Sequence, residues 1–199
     1  MSLLSAPVFA ISGSPRVGKT SLGEEVSRRL GFSFTSFGDY VRSIAKASSS
    51  GAAPYRRALQ DLGQRLVEED PRGFCGAVLA RCRGDISEPL VIDGLRHLQL
   101  EPVLRELLPT RDLRLIYVES RPSARLVRWG GHASEEEVAL VDAHPVEKDL
   151  ALLRKQSDLI IDTTEGFEPA LAHLLEWITD AYPSLARRNP VGVATGSKS

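Results

Sequence analysis

The octapeptide Gly13-Ser14-Pro15-Arg16-Val17-Gly18-Lys19-Thr20 constrains this chain more than any other stretch, because it satisfies the spacing G-x-x-x-x-G-K-[ST]. Each fixed position answers a physical need. The glycines let the backbone turn its N–H groups inward, and those donors, with the positive end of a following helix, cradle a β-phosphate. Lys19 reaches β- and γ-phosphate oxygens as a point charge, and the Thr20 hydroxyl is placed to ligate Mg2+. The surroundings are those the motif requires. Val8 to Ser12 is an apolar strand ending one residue before Gly13, and Leu22, Val26 and Leu30 recur at helical spacing after Gly18. The expected nucleotide-binding residues are Gly13 to Thr20 with Ser21, and the implied cofactors are ATP and Mg2+.

The rest of the chain alternates strand and helix. Phe32 to Phe37 reads as a second strand, and Asp39 as the cap of a helix running to the Ser48-Ser49-Ser50-Gly51 break. Helices are expected over Arg56 to Glu69, with Leu59, Leu62 and Leu66 as a buried stripe, and over Phe74 to Cys82. Leu90 to Asp93, Leu113 to Val118 and Leu159 to Ile161 read as strands, with helices over Leu98 to Leu108 and Pro169 to Ala181. The expected fold is α/β: a three-layer P-loop NTPase fold with a five-stranded parallel sheet, helices on both faces and a short arginine-bearing lid. Residues 1–182 form one domain, with acceptor-binding helices at about 38–83 and a lid at about 119–149. Residues 183–199, rich in Gly, Pro, Ser and Ala, are expected to be a disordered tail.

Composition excludes several classes. The 199 residues are 42% hydrophobic and 26% charged, the balance of one globular domain with a core. The apolar runs are strand-sized, and Met1 to Pro7 does not read as a secretory signal, so no membrane span and a cytoplasmic location are expected. The formal charge of −1 hides a tail carrying Arg187, Arg188 and Lys198 without an acid, leaving a more acidic body unsuited to nucleic acid. Cys75 and Cys82 have neither disulfide-framework nor metal spacing and are expected to be reduced. His97, His132, His144 and His173 form no close-spaced ligand pair.

Leu90-Val91-Ile92-Asp93 has the form of a Walker B strand, whose terminal carboxylate holds the magnesium through water, so Thr20 and Asp93 are the expected metal-side residues. Gly94 follows where hydrolytic ATPases commonly carry a water-activating glutamate, and no N-K-x-D guanine-reading motif lies downstream. Both features favour transfer to a bound acceptor.

With these residues in view, the chain resembles the nucleoside monophosphate kinases, the group that includes adenylate kinase, and the related dephospho-CoA kinases. The likeness spans about Val8 to Ile178. Thr35-Ser36-Phe37-Gly38-Asp39-Tyr40-Val41-Arg42 is similar to the segment that lines the acceptor site in adenylate kinase, implying an acceptor-binding Arg42 beside Asp39. Asp93-Gly94-Leu95-Arg96 is similar to the family's Asp-Gly-Phe-Pro-Arg but one residue shorter, which implies a second clamp at Arg96. Asp158 to Gly166 falls where related kinases place backbone against adenine. Leu59-Gln60-Asp61-Leu62-Gly63-Gln64 is similar to a pattern of phage-type deoxynucleotide kinases, and Gln60 and Gln64 are either base-reading amides or exposed helix glutamines.

Arg121, Arg125 and Arg128 fall on one helical face, and Gly130-Gly131 could serve as a hinge. Such arginines neutralise charge on a transferred phosphoryl group, with Lys19, Arg125, Arg128 and Asp93 as the catalytic set; a solvated face paired to Glu119 and Glu135 to Glu137 is the alternative. Asp142 to Glu147 reads as a lid return or a helix start at Pro145. The expected partner is a small-molecule phosphate acceptor, a nucleotide by the resemblance, in a monomer or homodimer. Other small-metabolite kinases and an ATP-binding sensor without transfer remain open alternatives.

Overall fold

The computed structural model describes residues 6–45, 53–128 and 143–186. Five strands, β1 Val8–Ser12, β2 Ser33–Ser36, β3 Leu90–Leu95, β4 Leu113–Glu119 and β5 Leu159–Asp162, form one parallel sheet in the order β2-β3-β1-β4-β5. Side chains alternate across its plane. Val8 and Ala10 join Leu90 and Ile92 in one core cluster, while Phe9 and Ile11 join Val91 and Ile116 in another. Burial on both faces explains why the strands read as continuous apolar runs.

The first cluster is covered by α2 Phe37–Ile44, α3 Ala53–Glu69, α4 Pro71–Leu79, α5 Leu100–Leu107 and α7 Val146–Gln156. The second is covered by α1 Lys19–Leu30, α8 Phe167–Ala181 and the short α9 Pro183–Ala186, and the seven-residue α6 Pro122–Arg128 follows β4. The three-layer parallel architecture expected from the sequence is the one observed. Among the described residues no helix is long and apolar enough to cross a membrane.

Several local details differ from the sequence reading. The cap of α2 is Ser36, whose Oγ accepts from the Asp39 amide at 3.2 Å, rather than Asp39 itself. The fourth helix begins earlier, because Asp70 caps it through the Gly73 amide and Pro71 supplies a preset first-turn φ. Leu59, Leu62 and Leu66 are only half-buried, since the inner side of α3 borders a cleft as well as the core. Packing also continues past residue 182: Pro183–Ala186 is helical and Leu185 is buried in the second cluster. Residues 46–52, the Gly130-Gly131 hinge, Glu135 to Glu137 and the tail from Arg187 lie outside the described residues.

Candidate active site

The phosphate loop joins β1 to α1 at the centre of the sheet. Gly13 has φ 136°, and a Cβ there would lie 2.1 Å from the Val118 carbonyl oxygen, so the chain leaves the sheet where only glycine fits. Arg16 has φ 64°, an uncommon conformation for a side-chain-bearing residue, in the middle of the turn. The loop's carbonyls are held from within the loop and from outside it. Lys19 Nζ donates to Ser14 O at 2.6 Å, Arg125 Nε to Pro15 O at 3.1 Å, and Thr163 Oγ1 to Val17 O at 2.8 Å. The Val17 side chain packs into the core, so this position contributes backbone to the loop and its side chain to the fold. Ser14 Oγ donates to Glu147 Oε2 at 2.9 Å, tying the loop to the first turn of α7.

Lys19, Thr20 and Asp93 converge beside the loop. Thr20 Oγ1 and Ser36 Oγ donate to Asp93 Oδ2 at 2.8 and 3.1 Å, while the buried Oδ1 has no hydrogen-bond partner. Burial raises the Asp93 pKa, outweighing the attraction of Lys19 and the two hydroxyl hydrogen bonds. A buried carboxylate oxygen left without a donor costs stability unless a cation or bound water completes it, so this oxygen with the Thr20 hydroxyl suits a hard divalent cation held through water. Lys19 has its pKa lowered to about 7, first by burial and then by Arg96, against the opposing pull of Asp93 and Glu147. A charge so poorly solvated is one that an anion would stabilise strongly.

From this end a cleft of about 600 Å3 runs between α2, α3 and the end of β3, within the size range of sites for small organic ligands. Arg16, Gly18, Thr20 and Ser21 of the phosphate loop line it, as does Arg128, which reaches the Val17 carbonyl. Arg42, Gln60 and Arg96 line it too, with Phe37, Val41, Leu59 and Phe74. Phe37 and Phe74 pack edge to face at 5.1 Å between centroids, giving that end a rigid aromatic wall. Arg42 folds back over the bare backbone of Gly38 and pairs with Asp39 at 2.6 Å; Asp39 itself is exposed and lies off the cleft wall. Gly94, at φ 84°, is the extra residue where the β1–β3 register shifts from Ile11↔Asp93 to Ser12↔Leu95, and this bulge carries Arg96 to the cleft. Gln60 is buried on the cleft wall, whereas Gln64 is turned along α3 to Glu68 at 2.7 Å.

The three lid arginines separate. Arg125 is buried under the phosphate loop, and Arg128 donates to Thr163 Oγ1 at 2.8 Å, Thr163 O at 2.5 Å and Val17 O at 3.4 Å. Arg121 precedes α6, is exposed, and contributes its backbone amide to Thr164. Glu119 pairs with Arg154 at 2.7 Å rather than with this face.

Residues that sequence reading passed over complete the site. Thr163 is buried and bridges Val17, Glu119 and Arg128, joining β5 to the phosphate loop. His97 lines the cleft, and His144 lies behind it with Nε2 3.2 Å from Asp61 Oδ1. A threonine directly after β5, next to Asp162, was the available signal for Thr163; the histidines offered none, because nothing in their spacing links residue 97 to residue 144.

No protein-family model matches the chain. A curated nucleotide-binding protein of Gluconobacter oxydans (strain 621H) is 28% identical over 180 residues. The alignment covers 84% of this chain and 52% of that protein, so the chain spans about half the length of the relative it matches. Among solved structures, the shikimate kinase of Bacteroides thetaiotaomicron is similar with a TM-score of 0.54 at 15% identity, over 86% of this chain and 98% of that one. The shikimate kinase of Acinetobacter baumannii, solved with shikimate, reaches 0.54 at 19% identity, over 92% of this chain and 96% of that one. At such identities the likeness is one of fold alone, and the chain has the P-loop NTPase fold.

Proposed function

We propose that this protein transfers the γ-phosphoryl group of ATP to a small anionic acceptor, a nucleoside or deoxynucleoside monophosphate first among the candidates. The observation that carries this reading is the continuity of the cleft. Lys19, Thr20 and Asp93 line the same cleft as Arg42 and Arg96, with an aromatic wall beside them, and Arg96 is near enough to Lys19 to lower its pKa. A donor phosphate and an anionic acceptor held in this one cleft would meet near Lys19. Phosphoryl transfer needs little more from the protein than such positioning and charge stabilisation. Thr20 and Asp93 are the residues that fit Mg2+, which when bound would neutralise charge on the β- and γ-phosphate oxygens. Arg125 and Arg128 hold the loop that holds the donor, and Arg128 also reaches the cleft.

A second reading keeps the donor site and changes the acceptor. Arginines that grip a phosphate also grip a carboxylate, and fold neighbours include shikimate kinases, one solved with shikimate. Dephospho-CoA belongs to the same alternative. Turnover decides: the protein with ATP and Mg2+ is offered ribo- and deoxyribonucleoside monophosphates, shikimate and dephospho-CoA, and ADP is measured. Formation of ADP no faster than the acceptor-free background with every acceptor would defeat both kinase readings and leave a nucleotide-binding sensor. With an active acceptor, Lys19→Ala abolishes turnover, and Arg42→Ala raises the acceptor KM at least tenfold while the KM for ATP stays within twofold. Equal loss of both affinities in Arg42→Ala contradicts its acceptor role.

A further inference from the structure

His97 is 7% exposed, yet its ring lines the cleft directly beyond Arg96. Its two nitrogens face different surroundings. Nδ1 lies 3.9 Å from Asp149 Oδ2 on α7, a carboxylate oriented by the Leu98 amide at 3.1 Å. Nε2 looks the other way, towards Gly63 on α3, where an added Cβ would sit 3.9 Å from it. Gly63 lines the same cleft, so the missing side chain is what leaves Nε2 open to a ligand. Burial lowers the His97 pKa to about 4 despite the nearby Asp149, so the ring is neutral near pH 7. At 3.9 Å that carboxylate is beyond hydrogen-bond distance, and its field favours the tautomer with the proton on Nδ1, which leaves a lone pair on Nε2.

We propose that His97 is a specificity-determining residue of the acceptor pocket: its Nε2 accepts a hydrogen bond from an N–H or O–H group of the molecule whose anionic end Arg42 and Arg96 hold. The acceptor is then an anion on one side and a hydrogen-bond donor on the other, with apolar faces between them against Phe37 and Phe74. Gln60, buried on the same wall, adds an amide beside the imidazole. This inference rests on the acceptor reading of the cleft but not on productive transfer. A buried acceptor atom that meets no donor is costly, so an analogue lacking the donor is rejected strongly, unlike one that merely fits an apolar wall less well.

The test uses the eight common ribo- and deoxyribonucleoside monophosphates, with binding measured by calorimetry and, where ADP forms, kcat and KM. Four proteins are compared: wild type, His97→Phe, His97→Gln and Gly63→Ala. His97→Phe weakens the best-bound monophosphate at least 30-fold and leaves ATP affinity within twofold, which also reports that the fold is intact. His97→Gln, which retains an acceptor, recovers part of the loss. Gly63→Ala raises Tm, because alanine is the better helix former, yet weakens the same monophosphate by shielding Nε2. Loss confined to ribonucleotides identifies the 2′-hydroxyl as the donor; loss shared by ribo and deoxy forms identifies a base N–H where it varies with the base, and the 3′-hydroxyl where it does not. Monophosphate affinities unchanged in both variants, or no binding of any monophosphate to wild type, overturn the proposal. Binding that depends on His97 with no ADP formed supports it while defeating the phosphotransfer reading.

Discussion

The Thr20 hydroxyl donates a 2.8 Å hydrogen bond to Asp93 Oδ2, joining the phosphate loop to the end of β3 across 73 residues of sequence. The parallel pairing of β1 with β3 brings the two together, with Ile11 opposite Asp93. The contact leaves Asp93 Oδ1 buried without a partner, and so it marks where a cation and its water shell would sit.

Asp93→Asn tests that marking. ATP with Mg2+ should raise the wild-type Tm well above that with ATP and a chelator, since a ligand at about 100 times its Kd adds about 2.7 kcal/mol to folding stability. In the variant the two curves should coincide. A persistent magnesium increment would remove Asp93 from the metal side.

Gly13→Ala tests the loop's geometry. The added methyl would meet the Val118 carbonyl at 2.1 Å in a backbone conformation closed to alanine, and backbone cannot yield as a flexible side chain can. A loss of at least about 3 kcal/mol is expected by urea denaturation. Wild-type stability would mean the loop leaves β1 along another path.

Thr163→Val keeps volume close and removes one hydroxyl that serves Val17, Glu119 and Arg128. The single hydroxyl proton is shared by the Val17 and Glu119 carbonyls, which keep second donors in Arg128 at 3.4 Å and the Thr163 amide at 2.9 Å, while Arg128 loses an acceptor, so a loss of about 1 kcal/mol follows. Because the Val17 carbonyl belongs to the phosphate loop, ATP affinity should fall as well, measured by calorimetry. Unchanged affinity would confine Thr163 to a structural role.

His97 carries the acid dependence. Its pKa is about 4 in the fold against 6.5 when unperturbed, so the unfolded chain binds the extra proton between those values. Stability is therefore full above about pH 6.5 and falls as pH drops towards 4, by about 3 kcal/mol at most. Asp149, Arg96, His144 and Glu68 are the charged or titratable groups that act on the ring, and His97→Asn leaves them in place. Urea titrations from pH 4.5 to 7.5 should show a flatter slope in the variant; identical slopes would show that His97 is not the group being protonated.

Local chemistry made the phosphate-loop motif and its setting legible in advance. A phosphate loop is contiguous because its work is done by consecutive backbone amides and the helix they open, so eight residues carry nearly all of it. Strands buried on both faces likewise announce themselves as apolar runs, and all five were readable to within about two residues at each end. Leu185 was hidden in a stretch whose composition suggested a tail, because one apolar side chain meeting Phe9 and Ile178 in a shared cluster leaves no periodic trace.

What only the tertiary structure decided is the make-up of the cleft wall and the bracing of the loop. Asp39 looked equivalent to Arg42 in its segment, yet one helical turn of α2 sets Arg42 on the cleft wall and Asp39 off it. Gln60 and Gln64 were equally plausible until the packing of α3 buried the first and left the second paired with Glu68. Thr163, Glu147 and His97 act through neighbours more than 40 residues distant, and contacts of that range leave no pattern in a single sequence. The sequence alone determined a phosphate-loop motif on a parallel sheet, because both arise from local backbone geometry and alternation. The choice of which side chains face the cleft was made by how helices α2, α3 and α7 pack over the strand ends.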